Sequence, residues 1–193
     1  MRKQVFSLIA VFIGLISHAQ TAAPPLVDGK CQEYEGLSAQ VIELDHGVKL
    51  HFYQNQHYVW ICYCYQEGSY GTLDLQVEAP GLDEPLNLHV SAQLGEWPVN
   101  KPEEQPQDPL SDKWWNHVGW TANEIWPNGI DRSGERAQPQ FKNAKARELQ
   151  LSKARFGRGE WKLKFNIRAL RTTNGMANLN FPEGNDPHIL QVN

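Results

Sequence analysis

Several stretches of this chain alternate apolar and polar residues at a period of two, the spacing that puts one set of side chains on each face of a β-strand. Val48, Leu50 and Phe52 alternate with Lys49, His51 and Tyr53, and Trp161, Leu163, Phe165 and Ile167 alternate with Lys162, Lys164, Asn166 and Arg168. Leu73, Leu75 and Val77 alternate with Thr72, Asp74 and Gln76. "LNLHVSAQL" at 86–94 continues the pattern as the second arm of a hairpin with one polar face. "HYVWICYCY" at 57–65 is apolar or aromatic on both faces, so it predicts a strand covered on both sides. A terminal "HILQV" supplies a last strand, residues 141–156 read as either strand or helix, and "TTNGMAN" at 172–178 reads as a flexible segment. Short strands joined by long loops predict an all-β fold, an antiparallel β-sandwich with long irregular loops.

The chain opens with Arg2 and Lys3 ahead of an apolar run from Val5 to Ile16, too short to span a bilayer as a membrane helix. Small residues at Ser17 and Ala19 complete a signal-peptidase pattern, so residues 1–19 are expected to be a signal peptide. Residues 20–30 are expected to form a Pro-rich extended lead-in, and residues 31–193 a single domain. The expected localisation is periplasmic or extracellular. The formal net charge of -4 includes no basic stripe, which argues against nucleic acid as a partner. No second stretch approaches membrane-spanning length.

Three cysteines in an oxidising compartment allow at most one internal pair. Cys62 and Cys64 lie two residues apart on one strand, with α-carbons about 6.5–7 Å apart, beyond easy bridging. A disulfide would therefore join Cys31 to one of them. The alternative is three small buried thiols that never oxidise.

The order of the elements resembles the family 9 carbohydrate-binding modules and the wider DOMON-like β-sandwiches. "VDGKCQEYEGL" at 27–37 is similar to their opening, "VKLHFYQNQHYVWICYCY" at 48–65 to their first hairpin, and "ELQLSKARFGRGEWKLKFNI" at 148–167 to their closing pair. The resemblance implies a jelly-roll-like sandwich that binds saccharides through stacked tryptophans, in some members with a structural calcium. A calcium could sit near Asp28 or Asp131, although no loop repeats Asp and Asn at ligand spacing. Otherwise no cofactor is expected, and no metal site, since His51, His57, His89, His117 and His188 lack ligand spacing.

"DKWWNHVGWTANEIWP" at 112–127 concentrates four of the seven tryptophans. Read as a strand, it sends Trp114, Val118 and Trp120 to one face as core and Trp115 to the other. Sugars combine apolar C–H faces with polar rims, so the ligand-binding candidates are rings at Trp97, Trp115 and Trp126 with polar partners Asn123, Glu124 and Asn128. The polar hairpin face adds His89 and Asp74, which could form an acid–base pair if the register sets them opposite each other. No catalytic residue is singled out: the absence of a nucleophile elbow, phosphate loop or HExxH motif counts against hydrolases of those types, and an enzyme acting through carboxylates such as Asp74, Glu124 or Glu148 is a third reading. The expected function is a secreted non-catalytic module binding saccharide or another small ligand. The alternative is an interaction protein that docks a protein partner through an exposed aromatic patch.

Overall fold

The computed structural model describes residues 23–123, 127–141 and 145–193. The strands are β1 (Gln40–Glu43), β2 (Lys49–Gln54), β3 (Tyr58–Cys64), β4 (Thr72–Glu78), β5 (Leu86–Val90), β6 (Leu94–Pro98) and β7 (Trp120–Ala122). They continue with β8 (Pro127–Asp131), β9 (Gln138–Phe141), β10 (Ala146–Ser152), β11 (Gly159–Thr172), β12 (Gly175–Phe181) and β13 (His188–Val192). The first sheet has the order β1-β2-β3-β10-β7, and the second β12-β11-β4-β5-β6, with β13 also paired to β11. Strands β8 and β9 form a separate hairpin, and every pairing is antiparallel. The fold is thus an all-β antiparallel sandwich with long loops.

The alternating sets meet between the sheets. Leu50, Phe52, Ile61 and Tyr63 from the first sheet pack in one cluster with Leu73, Leu75, Leu88, Trp161 and Phe165 from the second. Strand β3 is covered on its other face as well, where Trp60 and Cys62 pack with Cys31, Tyr34 and Ala146. The cover is the N-terminal segment, which has no regular structure over residues 23–30 and then forms a 3-10 turn, Gln32–Gly36. Cys31 bonds to Cys62 across it, leaving Cys64 free.

Three readings are corrected. Residues 86–94 are not one strand: Ser91 accepts the Gln93 N–H on its side chain and donates its own N–H to the Gln93 carbonyl, and this tight turn splits the stretch into β5 and β6. The competing side-chain bond is a local device that periodicity does not reveal. Residues 112–119 are not a strand, so Trp120 is buried as expected but Val118 is 64% exposed and Trp114 half-buried. Trp115 has φ 68°, a left-handed conformation that breaks the alternation. The segment read as flexible at 172–178 instead forms the turn into β12, which runs along β11 from Thr172↔Gly175 to Phe165↔Phe181. Of the ambiguous stretch 141–156, Phe141 ends β9, residues 142–144 lie outside the described residues, and the remainder resolves into strand β10 followed by one helical turn, Lys153–Phe156, whose N-cap Ser152 accepts the Ala154 N–H.

Candidate functional site

The outer face of the second sheet carries the polar half of each alternating strand. Register sets Asp74 opposite His89 on β5 and opposite Asn166 on β11, while His89 lies opposite Gly95 on β6. One Asp74 oxygen accepts from His89 Nδ1 at 2.8 Å and Asn87 Nδ2 at 3.1 Å, and the other from Arg168 at 2.6 Å. Burial pushes the Asp74 carboxyl up, but the His89 and Asn87 bonds and the Arg168 charge outweigh it and hold the carboxyl below its ordinary value. Nε2 of His89 faces the Ser91 hydroxyl at 3.0 Å, so both ring nitrogens are occupied. Asp74, His89 and Ser91 thus form one hydrogen-bonded chain that braces the platform.

Aromatic rings flank this platform because the loop of residues 99–119 folds back over β5 and β6. Its return is fixed by the Trp115 N–H on the Leu94 carbonyl at 2.7 Å and the Trp114 indole N–H on the Asp108 carbonyl at 3.0 Å. Farther along, Glu96 accepts a two-point contact from Arg155, at 2.6 and 2.7 Å, and the Trp120 indole N–H at 2.6 Å, tying β6 to β7. His89 lies against Trp97 of the neighbouring strand β6, with ring centroids 5.8 Å apart, and against Trp114 of the returning loop at 5.4 Å. Trp97 is buried, Trp114 half-buried and Trp115 47% exposed. Such an apolar ledge beside amide, carboxylate and guanidinium groups can stack the C–H face of a ring and hydrogen-bond its rim.

Gly95 makes the ledge possible. A β-carbon there would stand 2.9 Å from Trp114 Cε3, so Trp114 packs directly on the backbone. Gly95→Ala is expected to push Trp114 off His89, changing the near-UV circular dichroism. It should cost about 1 kcal/mol in chemical denaturation, the lower end for overpacking, because the ring belongs to a loop that can swing aside.

The structure brings together Asp74, His89 and Trp97 of the residues singled out from sequence, with Trp115 in the loop that closes over them. Asn123 lies elsewhere: it is buried and accepts the Glu148 N–H at 2.5 Å, under the N-terminal segment on the first sheet. Glu124 and Trp126 lie outside the described residues, and Asn128 belongs to β8. Sequence reasoning assigned Trp114 to the core and passed over Gly95. The signal for both was the position of Gly95 opposite His89, which becomes visible only once the strand is split at Ser91. A separate groove of about 610 Å³, lined by Glu43, Asp45, His46, Asn178, Asn180 and Glu183 among others, contains none of the predicted site residues.

The first sheet has a second polar cluster. Glu148 is fully buried and accepts from the Tyr34 hydroxyl and from the N–H groups of Asp28 and Gly29 at 3.1 and 3.3 Å. Burial outweighs these bonds and pushes its carboxyl up to about 7. Beside it, the sulfurs of Cys31 and Cys64 and a ring nitrogen of His51 lie within 4.8 Å of one another, a grouping that histidine spacing alone does not reveal. Among the described residues, no helix is long and apolar enough to cross a membrane.

No family model matches the chain, and no curated protein matches it. Among solved structures it is similar to a family 9 carbohydrate-binding module from Caldicellulosiruptor kristjanssonii in complex with cellotriose, at 7% identity and a TM-score of 0.41, covering 82% of this chain and 80% of that one. It is also similar to a protein from Bacteroides uniformis to which carbohydrate binding has been ascribed, at 12% identity and a TM-score of 0.38, covering 77% and 78%.

Proposed function

We propose that this protein is a secreted, non-catalytic module that binds saccharide on the outer face of its second sheet. The observation that carries the reading is the half-buried Trp114, held on His89 and Gly95 beside the Asp74–Asn87–Arg168 network. Trp114 and the exposed Trp115 would stack on the ligand, and Arg168, Asn166 and Gln76 would meet its hydroxyls. A periplasmic or extracellular location is supported by the leader pattern of residues 1–19 and agrees with the disulfide.

Glycan-array screening followed by calorimetric titration tests this. Trp115→Ala and Trp114→Ala are each expected to weaken binding about tenfold, or about 1.4 kcal/mol, while leaving the fold intact. Absence of binding to any saccharide, or affinity untouched by both substitutions, would overturn the reading. The exposure of Leu110, Trp115 and Val118 along the same loop favours a second one, a docking patch for a protein partner. Retention of a single protein on the immobilised module in excess saccharide would favour docking instead.

A further inference from the structure

We propose that Cys31, Cys62 and Cys64 form a three-cysteine exchange site in which the Cys31 disulfide passes between Cys62 and Cys64, with His51 carrying the proton. Cys62 and Cys64 share one face of β3, and Cys31 is held over that face by the N-terminal segment. The Cys64 sulfur lies within 4.8 Å of the Cys31 sulfur, a small adjustment from the contact that thiol–disulfide exchange requires. His51 stands opposite Cys62 on β2 and is 8% exposed, and its Nδ1 is buried with no hydrogen-bond partner among the described residues. A buried polar nitrogen in that condition is costly unless it has a use, and here a ring nitrogen of the same residue lies within 4.8 Å of both sulfurs.

The step is balanced within the chain. The Cys64 thiol gives its proton to the His51 imidazole, and the resulting thiolate attacks the Cys31 sulfur. The Cys31–Cys64 bond forms as the Cys31–Cys62 bond breaks, its electron pair leaves on the Cys62 sulfur, and that thiolate takes up the proton from His51. One disulfide and one thiol exist before and after, so no external oxidant or reductant is consumed. Burial holds the Cys64 thiol above its ordinary value and keeps His51 neutral, so the exchange belongs to the minutes-to-hours range of uncatalysed rearrangements. Its consequence is access: the free thiol moves between Cys64, which is half-buried, and Cys62, which is fully buried, while the N-terminal segment stays tethered in both forms. The site thus presents a thiol to alkylating or disulfide-bearing small molecules in one isomer and withholds it in the other.

Incubation of the purified protein at pH 8, acid quenching, alkylation in denaturant and peptide mapping tests the proposal. A Cys31–Cys64 linkage with labelled Cys62 is expected as a minor species that grows over hours to a constant fraction. Cys62→Ser is expected to hold Cys31–Cys64 as its sole disulfide, and His51→Leu to slow the approach to the mixture several-fold without changing its composition. A wild-type population of Cys31–Cys62 alone overturns the exchange, whatever the variants do. So does Cys62→Ser protein that remains fully reduced, and an unchanged rate in His51→Leu overturns the proton route.

Discussion

Cys31→Ser is expected to lower the midpoint of thermal unfolding by roughly 10 °C, with a loss of about 3–4 kcal/mol in chemical denaturation. The sequence separation of 31 between Cys31 and Cys62 sets the loop-closure entropy that the bond removes from the unfolded chain. The native state gains further from the position of the bond. Cys31 pins the segment that buries Trp60, Cys62 and Tyr34 on the outer face of β3, and that places the backbone N–H groups of Asp28 and Gly29 on Glu148. Cys64→Ser should change the midpoint little, because its thiol makes only a 3.8 Å contact to the Lys49 carbonyl. Cys62→Ser should fall between the two if Cys64 takes over the bond to Cys31. A shift of less than 2 °C in Cys31→Ser would mean that the N-terminal cover is held by packing alone. The measurement is a calorimetric scan of the three variants beside the wild type at a single pH.

The second large effect is expected at Glu148. Its carboxyl is raised in the folded protein to about 7 from an ordinary value of 4.5, chiefly by burial, so the folded state binds more protons than the unfolded state between those pH values. Stability from this group is therefore fully present below about pH 4.5, declines as pH rises, and is lost once the pH passes 7. A shift of that size corresponds to on the order of 3 kcal/mol. Glu148→Gln mimics the protonated side chain, so unfolding free energies measured from pH 4.5 to 8 should fall in the wild type and lose most of that slope in the variant. Parallel pH profiles would show that the carboxylate is solvated enough to ionise without cost. Tyr34→Phe removes the hydroxyl that donates to Glu148 and should extend the decline to higher pH by taking a bond away from the charged form.

Much of the architecture is legible in the alternation of named strands. Leu73, Leu75 and Val77 face the core and Thr72, Asp74 and Gln76 face outward because a strand sends successive side chains to opposite faces. The two-faced apolar stretch read at 57–65 is covered on both sides over residues 59–63 for the same reason. Even the pairing of Asp74 with His89 was available as a possibility, since both lie on polar faces of adjacent hairpin arms. The register that joins them was not available, because the loop at 79–85 admits more than one alignment and a slip of one residue would invert a whole strand.

The tryptophans show the limit most plainly. Alternation puts Trp114 and Trp120 on one face and Trp115 on the other, yet only Trp120 is buried, on Glu96, while Trp114 rests half-buried on His89 and Trp115 projects at a left-handed residue. Local periodicity misplaces Trp114 because the 99–119 loop is positioned by distant partners: the Leu94 carbonyl, Gly95 and the Arg155–Glu96 ion pair. The same holds for Cys31, whose choice of Cys62 depends on where an irregular segment crosses β3. The sequence by itself determined the all-β class and the inward and outward sets of its main strands, since side-chain alternation is a property of the local backbone. Tertiary structure alone decided which rings are exposed, which cysteine is bonded and how the polar face is braced, because those depend on contacts between residues far apart in the chain.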